Sequence, residues 1–483
     1  MIKLNKEKYL DKLHACWIGK NIGGTIGAPH EGKRELCNIS GFATKCGEPL
    51  PNDDLDLQLV WLYAMEEVGP KNLNSNILAD YWLGWIPPYW NEYGICKTNL
   101  SFGLLPPMSG EFDNDKWKTS NGAWIRSELW AGLAPGAPDV AVKYAVMDSM
   151  VDHGISEGTI AEIFTASMQS LAFIESDILT LINSALTKIP SNSMVYKTIQ
   201  LVIDCYDKGI NYIKTREKVV EFNKELGWFQ APANLGFVAI GLLYGEGDFK
   251  KSMIYAINCG DDTDCTGATV GATLGIIGGK SAIPKDWADY IGDKIVTRAI
   301  NGVYIYRVPT TCTNLTNRVT ALVPAVMKAN NVDFEFSTVS EYTKEDLQKV
   351  NKLTSADFLN RSPYSFDITE NHALDVRVEI DKTPRVKRGE ERKITLSFKI
   401  NPTMVLMKKI VLKVIPPEGW SVNDYDRTVL LEYKEPIHNI PGISKMNFTL
   451  TVGENIDVIN KCYVEVTCST MANPIMFPIT FLG

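Results

Sequence analysis

The sequence predicts a multidomain chain: a large all-α bundle followed by a C-terminal antiparallel β-sandwich. Three observations predict it. Apolar residues recur at helical spacing up to about residue 330, the apolar period changes to two from about residue 370, and a polar stretch containing Arg361-Ser362-Pro363 lies between. With 483 residues, 45% apolar and 22% charged, the chain is long enough for two or three domains. A disordered chain, a collagen and a disulfide miniprotein are excluded.

In the first part, Leu55, Leu59, Leu62 and Met65 recur at i, i+4, i+7 and i+10. Ala161, Ile163, Phe164, Met168 and Leu171 mark a second amphipathic segment, and Leu201, Val202, Cys205 and Tyr206 a third. Pro87-Pro88 and Pro135-Gly136-Ala137-Pro138 read as loops. Gly267 to Gly279 is the most apolar run, too short to span a bilayer, and reads as a tightly packed core helix. Residues 331–369 read as a linker, with one helix at Lys344 to Leu353.

Beyond it, Leu374, Val376, Val378 and Ile380 alternate with mostly charged residues. So do Ile394, Leu396, Phe398 and Ile400, then Ile410, Leu412 and Val414, then Phe448, Leu450 and Val452. Tyr463, Val464 and Val466 add a further strand. Such spacing predicts an Ig-like sandwich over 370–483. Pro416-Pro417-Glu418-Gly419-Trp420 reads as a turn between strands.

The net charge of −8 lies almost wholly in the helical part, because the tail is close to neutral. This argues against nucleic-acid binding, which needs a basic footprint, and suits cation binding. The amino terminus, Met1-Ile2-Lys3-Leu4-Asn5-Lys6, is polar and shows no secretory signal. No CxxC pair occurs among ten cysteines, so zinc-ribbon and thioredoxin readings fail and reduced thiols in the cytoplasm are expected. No membrane partner is expected, and the oligomeric state is not legible.

Two acidic clusters carry the chemistry. Asn52-Asp53-Asp54-Leu55-Asp56 precedes one periodic helix, and Gly260-Asp261-Asp262-Thr263-Asp264-Cys265-Thr266 precedes the Gly/Ala/Thr helix. Short carboxylates at a helix start can simply cap it. Asp261, Asp262 and Asp264 are denser than capping requires, and carboxylates so close must raise a pKa or bind a cation. Oxygen donors without a His or Cys pair favour Mg²⁺, Mn²⁺ or Ca²⁺ over zinc. Both readings stand on spacing alone.

The segment Asn258 to Ala272 resembles the signature of the ADP-ribosylglycohydrolases, the family of the dinitrogenase-reductase-activating and ADP-ribosyl-acceptor hydrolases. Four further segments resemble the family in the same order: Gly19 to Glu31, Asn52-Asp53-Asp54, Ser120-Asn121-Gly122-Ala123 with Arg126, and Asp152-His153-Gly154. The resemblance implies an all-α, metal-dependent hydrolase domain over 1–330, built around two divalent cations, Mg²⁺ first with Mn²⁺ or Ca²⁺ as alternatives. It implies Asn52, Asp53, Asp54, Asp262, Asp264 and Thr266 as the metal set. Asp262 or Glu31 would position the attacking water. Ser120, Asn121, Gly122, Ala123 and His153 would meet the substrate, an ADP-ribosyl group or another glycoside. Asp56, extra to the family pattern, is either a first-turn helix acid or a ligand of a substrate hydroxyl, and Trp90, in the aromatic-rich stretch Pro87 to Tyr93, offers a ring on which adenine or a sugar can stack. Three positions depart from the pattern. Asn52 replaces a common Thr, Gly24 a common Asp, and Cys265 a Thr or Ser hydroxyl, which would leave its place to Thr266 or water. These departures leave open a glycosidase acting on a glycan or small glycoside, and a non-catalytic binding or structural homologue.

Overall fold

Glycines spaced by four set the architecture of the helical part. The structure, a computed structural model, describes residues 1–369, 374–400, 409–423, 425–431, 433–435, 440–468 and 471–483. The helix Lys6–Gly27 begins at Asn5, whose Oδ1 accepts a hydrogen bond from Lys8 N at 2.9 Å. Its Gly19, Gly23 and Gly27 face the helix Thr263–Gly278, which presents Gly267, Gly271 and Gly275. A Cβ at Gly19 would lie 2.1 Å from Gly271 O, and one at Gly27 would lie 2.3 Å from Thr263 O. The two backbones touch, so any larger side chain would force the pair apart. This seam lays the first residues of Thr263–Gly278 beside the last turn of Lys6–Gly27.

The other helices surround that pair. Asp53–Val68, Pro138–His153, Glu157–Ala172 and Ala231–Gly245 are mostly buried, and Trp17, Trp61, Trp82, Trp124 and Trp130 are enclosed among them. The helical periods hold: Leu55 to Met65 lie on Asp53–Val68, Ala161 to Leu171 on Glu157–Ala172, and Leu201 to Tyr206 on Met194–Asp207. Ile2–Asn5 pairs in parallel with Phe334–Ser337, a strand pair that the sequence does not announce. Four residues with two apolar positions are too short to show a period. Lys344–Lys349 forms a helix, shorter than the expected 344–353.

The chain divides into two compact units. One comprises residues 1–94 and 114–360; the other comprises 95–113 and 361–483. Among the described residues the second unit holds two larger antiparallel sheets, besides the short antiparallel pair Tyr433–Glu435 with Ile440–Pro441. One has strands in the order Ser365–Ile368, Leu374–Ile380, Glu391–Ile400, Ser444–Thr451, Ser421–Asn423. The other runs Ile475–Leu482, Ile459–Cys468, Lys409–Ile415, Thr428–Leu430. Strict alternation on Leu374–Ile380 sends Leu374, Val376, Val378 and Ile380 into the core and exposes Asp375, Arg377 and Glu379. Phe398, Phe448, Val464 and Phe477 join them, together with Leu104, Met108 and Phe112 from the segment 95–113. Glu370, where the sequence places the start of the sandwich, lies outside the described residues. No described helix is long and apolar enough to cross a membrane.

Candidate metal-dependent active site

Asn52 is the N-cap of Asp53–Val68, and its Oδ1 accepts a hydrogen bond from Asp54 N at 2.8 Å. That bond satisfies the helix start and leaves the aspartates free for other partners. Asp262 stands at the N-cap of Thr263–Gly278 but makes no capping hydrogen bond. Its Oδ2 instead accepts from Asn121 Nδ2 at 2.7 Å, and its N–H donates to Asn234 Oδ1 at 3.3 Å. Capping accounts for Asn52 but not for Asp54, Asp262 or Asp264.

The two clusters meet. Asp54, Asp264 and Cys265 each offer one ligand atom within 4.8 Å of the others, and so do Glu31, Asp262 and Asp264. Asp264 belongs to both groups. Asp53 stands beside them and accepts from the Tyr93 hydroxyl at 3.4 Å. These carboxyls line one cavity of about 520 Å³, whose wall also includes Trp90, Glu92, Ser120, Asn121, Gly122 and Arg298. That volume suits a small molecule.

Electrostatics set the chemistry. Burial, then the negative neighbours Asp264 and Asp53, push Asp54 well above the usual carboxylate range. Asp262 rises for the same reasons, from burial, Asp264, Asp54 and Glu31. Glu31, more exposed, is pushed up to about 7 by desolvation, Asp264 and Asp53. One buried cation opposes them. Lys20 donates to Ile125 O at 2.7 Å and to Glu128 Oε1 at 3.1 Å, and its Nζ lies 3.9 Å from Asp54 Oδ2. Burial works against its charge, but Glu128 and Asp54 outweigh that and hold it protonated.

The donor set fits a hard divalent cation. Asp54 Oδ2, Asp262 Oδ1 and Asp264 Oδ1 are buried without hydrogen-bond partners among the described residues. Buried carboxylates left so would carry a large desolvation cost, which a cation coordinated by oxygen removes. Cys265 is not a thiolate. Burial, then Asp262 and Asp54, push its thiol well up, and Sγ donates to Asp54 Oδ1 at 3.3 Å.

The other sequence-chosen residues divide. Ser120, Asn121, Gly122 and Trp90 line the cavity. Thr266 does not: its hydroxyl donates to Thr263 O at 3.3 Å within its own helix. Ala123 is buried and absent from the lining, and His153 lies behind Ser120. Asp56 is also withdrawn. Its Oδ2 accepts from Arg298 N at 2.7 Å and Ala299 N at 2.6 Å, anchoring the loop whose Arg298 guanidinium covers the Trp90 ring at 4.6 Å. Asp261 accepts from Phe229 N through Oδ1 and from Gly32 N through its carbonyl, which ties down the loop carrying Glu31.

Sequence reasoning missed Glu92, Tyr93, Arg298, Lys20 and Glu128. Glu92 and Tyr93 lie in the aromatic-rich stretch and Lys20 in the Gly19 to Glu31 segment, but nothing local gives any of the five a role, and only the fold brings it to the site. The departure at Gly24 has a partner: a Cβ there would lie 1.9 Å from Asn52 Nδ2.

A family model described as ADP-ribosylglycohydrolase matches residues 5–314. Among solved structures, an "ADP-ribosylglycohydrolase-related protein complex" is similar at 17% identity, covering 66% of this chain and 100% of that one, with a TM-score of 0.43. A FixG-related protein from Vibrio parahaemolyticus matches at 13% identity over 23% of this chain and 95% of its own, TM-score 0.18. The GAE domain of GGA2p from Saccharomyces cerevisiae matches at 13% over 24% and 96%, TM-score 0.16. At these scores the structural likenesses carry no weight. No curated protein matches the chain. The family match spans nearly the whole helical part and contains both acidic clusters, and the chain belongs to the ADP-ribosylglycohydrolase family.

Proposed function

We propose that the protein is a metal-dependent hydrolase of a glycosidic bond, acting on an ADP-ribosyl group. Family membership supports a glycosyl-hydrolase-type function, and the observation that carries the reading is the pair of acidic groups sharing Asp264 in one cavity wall. Asp53, Asp54, Asp262 and Asp264 would hold two divalent cations, Mg²⁺ before Mn²⁺ or Ca²⁺. Such ions, when bound, orient sugar hydroxyls and acidify water.

The chain's own residues do the rest. Asn121 fixes the orientation of Asp262, and Lys20, 3.9 Å from Asp54, opposes the rise that burial imposes on that carboxyl. Glu31 is the group suited to take the proton of an attacking water, because Asp262 already spends one oxygen on Asn121. The ring of carboxylates favours the positive charge of an oxocarbenium-like state. Asn121 and Gly122 would face the sugar, and Trp90 under Arg298 would flank the attached group.

Calorimetric titration of the Mg²⁺-loaded protein with ADP-ribose, repeated after EDTA, tests this. Micromolar affinity that disappears with EDTA is expected. A folded, metal-loaded protein that ignores ADP-ribose overturns the substrate. One observation then favours a glycan or small glycoside: Arg298 is the only basic side chain among the described lining residues, and a pyrophosphate carries more than one charge.

A further inference from the structure

We propose that Glu92, Ser120 and His153 form a proton relay that ends in this cavity, with Glu92 as the acid that protonates the departing group. The inference rests on the glycosidic hydrolysis proposed above and assigns it a second carboxyl, apart from the metal-binding set.

Glu92 lies in the first turn of Asn91–Phe102 and lines the cavity, yet it is only 6% exposed. Its Oε2 has no hydrogen-bond partner among the described residues. Gly122 makes room for it, since a Cβ there would lie 2.1 Å from Glu92 Oε1. The carboxyl hydrogen-bonds with Ser120, whose Oγ lies 3.0 Å from His153 Nε2. His153 Nδ1 lies 3.0 Å from Asp152 Oδ1, close enough for strong attraction although off the line of a hydrogen bond. Arg126 grips Asp152 with Nη1 at 3.0 Å and Nη2 at 2.7 Å.

A count of protons shows why these groups act together. Burial opposes ionisation of Asp152, but Arg126 and His153 outweigh it and hold the carboxyl at about 2. An ionised Asp152 keeps the imidazole proton on Nδ1. With Nε2 bare, Ser120 donates to it and accepts from a protonated Glu92. With Nε2 protonated, the imidazolium donates to Ser120, and Ser120 donates to an ionised Glu92. The two arrangements differ by one proton passed along the chain, and each keeps both hydrogen bonds of the Glu92–Ser120–His153 row. The groups facing Glu92 are Asp152 and His153 from Pro138–His153, Ser120 from the preceding loop, and Tyr93 beside it. Burial is the main cause that lifts Glu92 to about 7, with Asp152 adding to it and His153 opposing. A carboxyl there is still protonated near neutral pH, as an acid catalyst must be.

In the step, the Glu92 proton passes to the glycosidic oxygen. The bond from the anomeric carbon breaks, and its electron pair stays on that oxygen. Water adds to the anomeric carbon and leaves its proton on Glu31; Glu31 then loses a proton to solvent, and solvent returns one to Glu92. One water is consumed and two alcohols form.

The test compares 4-nitrophenyl and methyl glycosides of ADP-ribose in wild type, Glu92→Gln and Ser120→Ala. Glu92→Gln should lower kcat/KM on the methyl glycoside by roughly 10²–10⁴-fold, and on the nitrophenyl glycoside, which needs no acid, by less than about tenfold. The alkaline limb of the pH profile should vanish with it. Ser120→Ala should keep the limb and shift its midpoint. Infrared difference spectra read the proton without turnover: a carboxylic-acid band at pH 6 should disappear in Glu92→Gln and move in Ser120→Ala. Equal losses on both glycosides, or no such band in wild type, overturn the relay. If wild type cleaves neither glycoside, the substrate reading falls, and the infrared arm alone decides the relay.

Discussion

Glu92 ties stability to pH as well as function. Its carboxyl titrates at about 7 in the folded chain and near 4.5 when unfolded. The folded state therefore holds this proton more tightly. The stability it gives is complete below pH 4.5 and is lost as the pH rises through 7, by roughly 3 kcal/mol. Glu92→Gln has no such loss. It is expected to melt above wild type at pH 8 and to show no advantage at pH 4.5, measured by thermal denaturation at both. A second residue-scale prediction concerns the two departures that sequence alone presents as separate. The Asn52 amide lies where a Cβ on Gly24 would stand, so the two positions are one choice. Gly24→Ala should cost about 1–3 kcal/mol by overpacking, and Asn52→Ser, still a capping residue, should recover most of it. Strict additivity in that double-mutant cycle would refute the coupling. The acidic clusters were legible because each is contiguous in sequence and opens a helix. Lys20 and Glu128 were not, because a buried ion pair across 108 residues leaves no local pattern.

Among elements, the glycine seam between Lys6–Gly27 and Thr263–Gly278 positions both acidic clusters. Gly23→Ala or Gly271→Ala would drive a methyl into the opposite backbone, since their Cβ positions lie 2.1 and 2.2 Å from Gly267 and Gly19. Each should lower stability by about 2–4 kcal/mol and weaken the proposed Mg²⁺ binding, read by calorimetry, because the displaced helix carries Asp262 and Asp264. Gly41→Ala, with nothing within 4 Å, is the control and should change little. The seam was half legible. The Gly/Ala/Thr composition announces close packing, but which helix receives it depends on a pairing more than 200 residues apart. The strands of the sandwich were readable because one face is buried and the other wet, which writes a period of two into the sequence.

At the scale of the whole molecule, the unexpected feature is the segment 95–113. Leu104, Met108 and Phe112 carry no period of two, so nothing in the sequence assigns them to the sandwich core. A chain ending at Asn360 leaves those side chains uncovered. It is expected to aggregate on expression, although it retains every candidate metal ligand. A soluble 1–360 protein with a cooperative melt would contradict this.

That composition also sets a timetable. Residues 95–113 leave the ribosome early, and 114–360 must be made before the strands that enclose them appear. At ~5–20 residues per second this takes roughly 10–50 s, with the last strand, Ile475–Leu482, later still. Through that interval a nascent chain carries three apolar side chains waiting for their core. Its yield should therefore depend on translation speed and on chaperones that shield the segment, more than on the stability of the finished molecule.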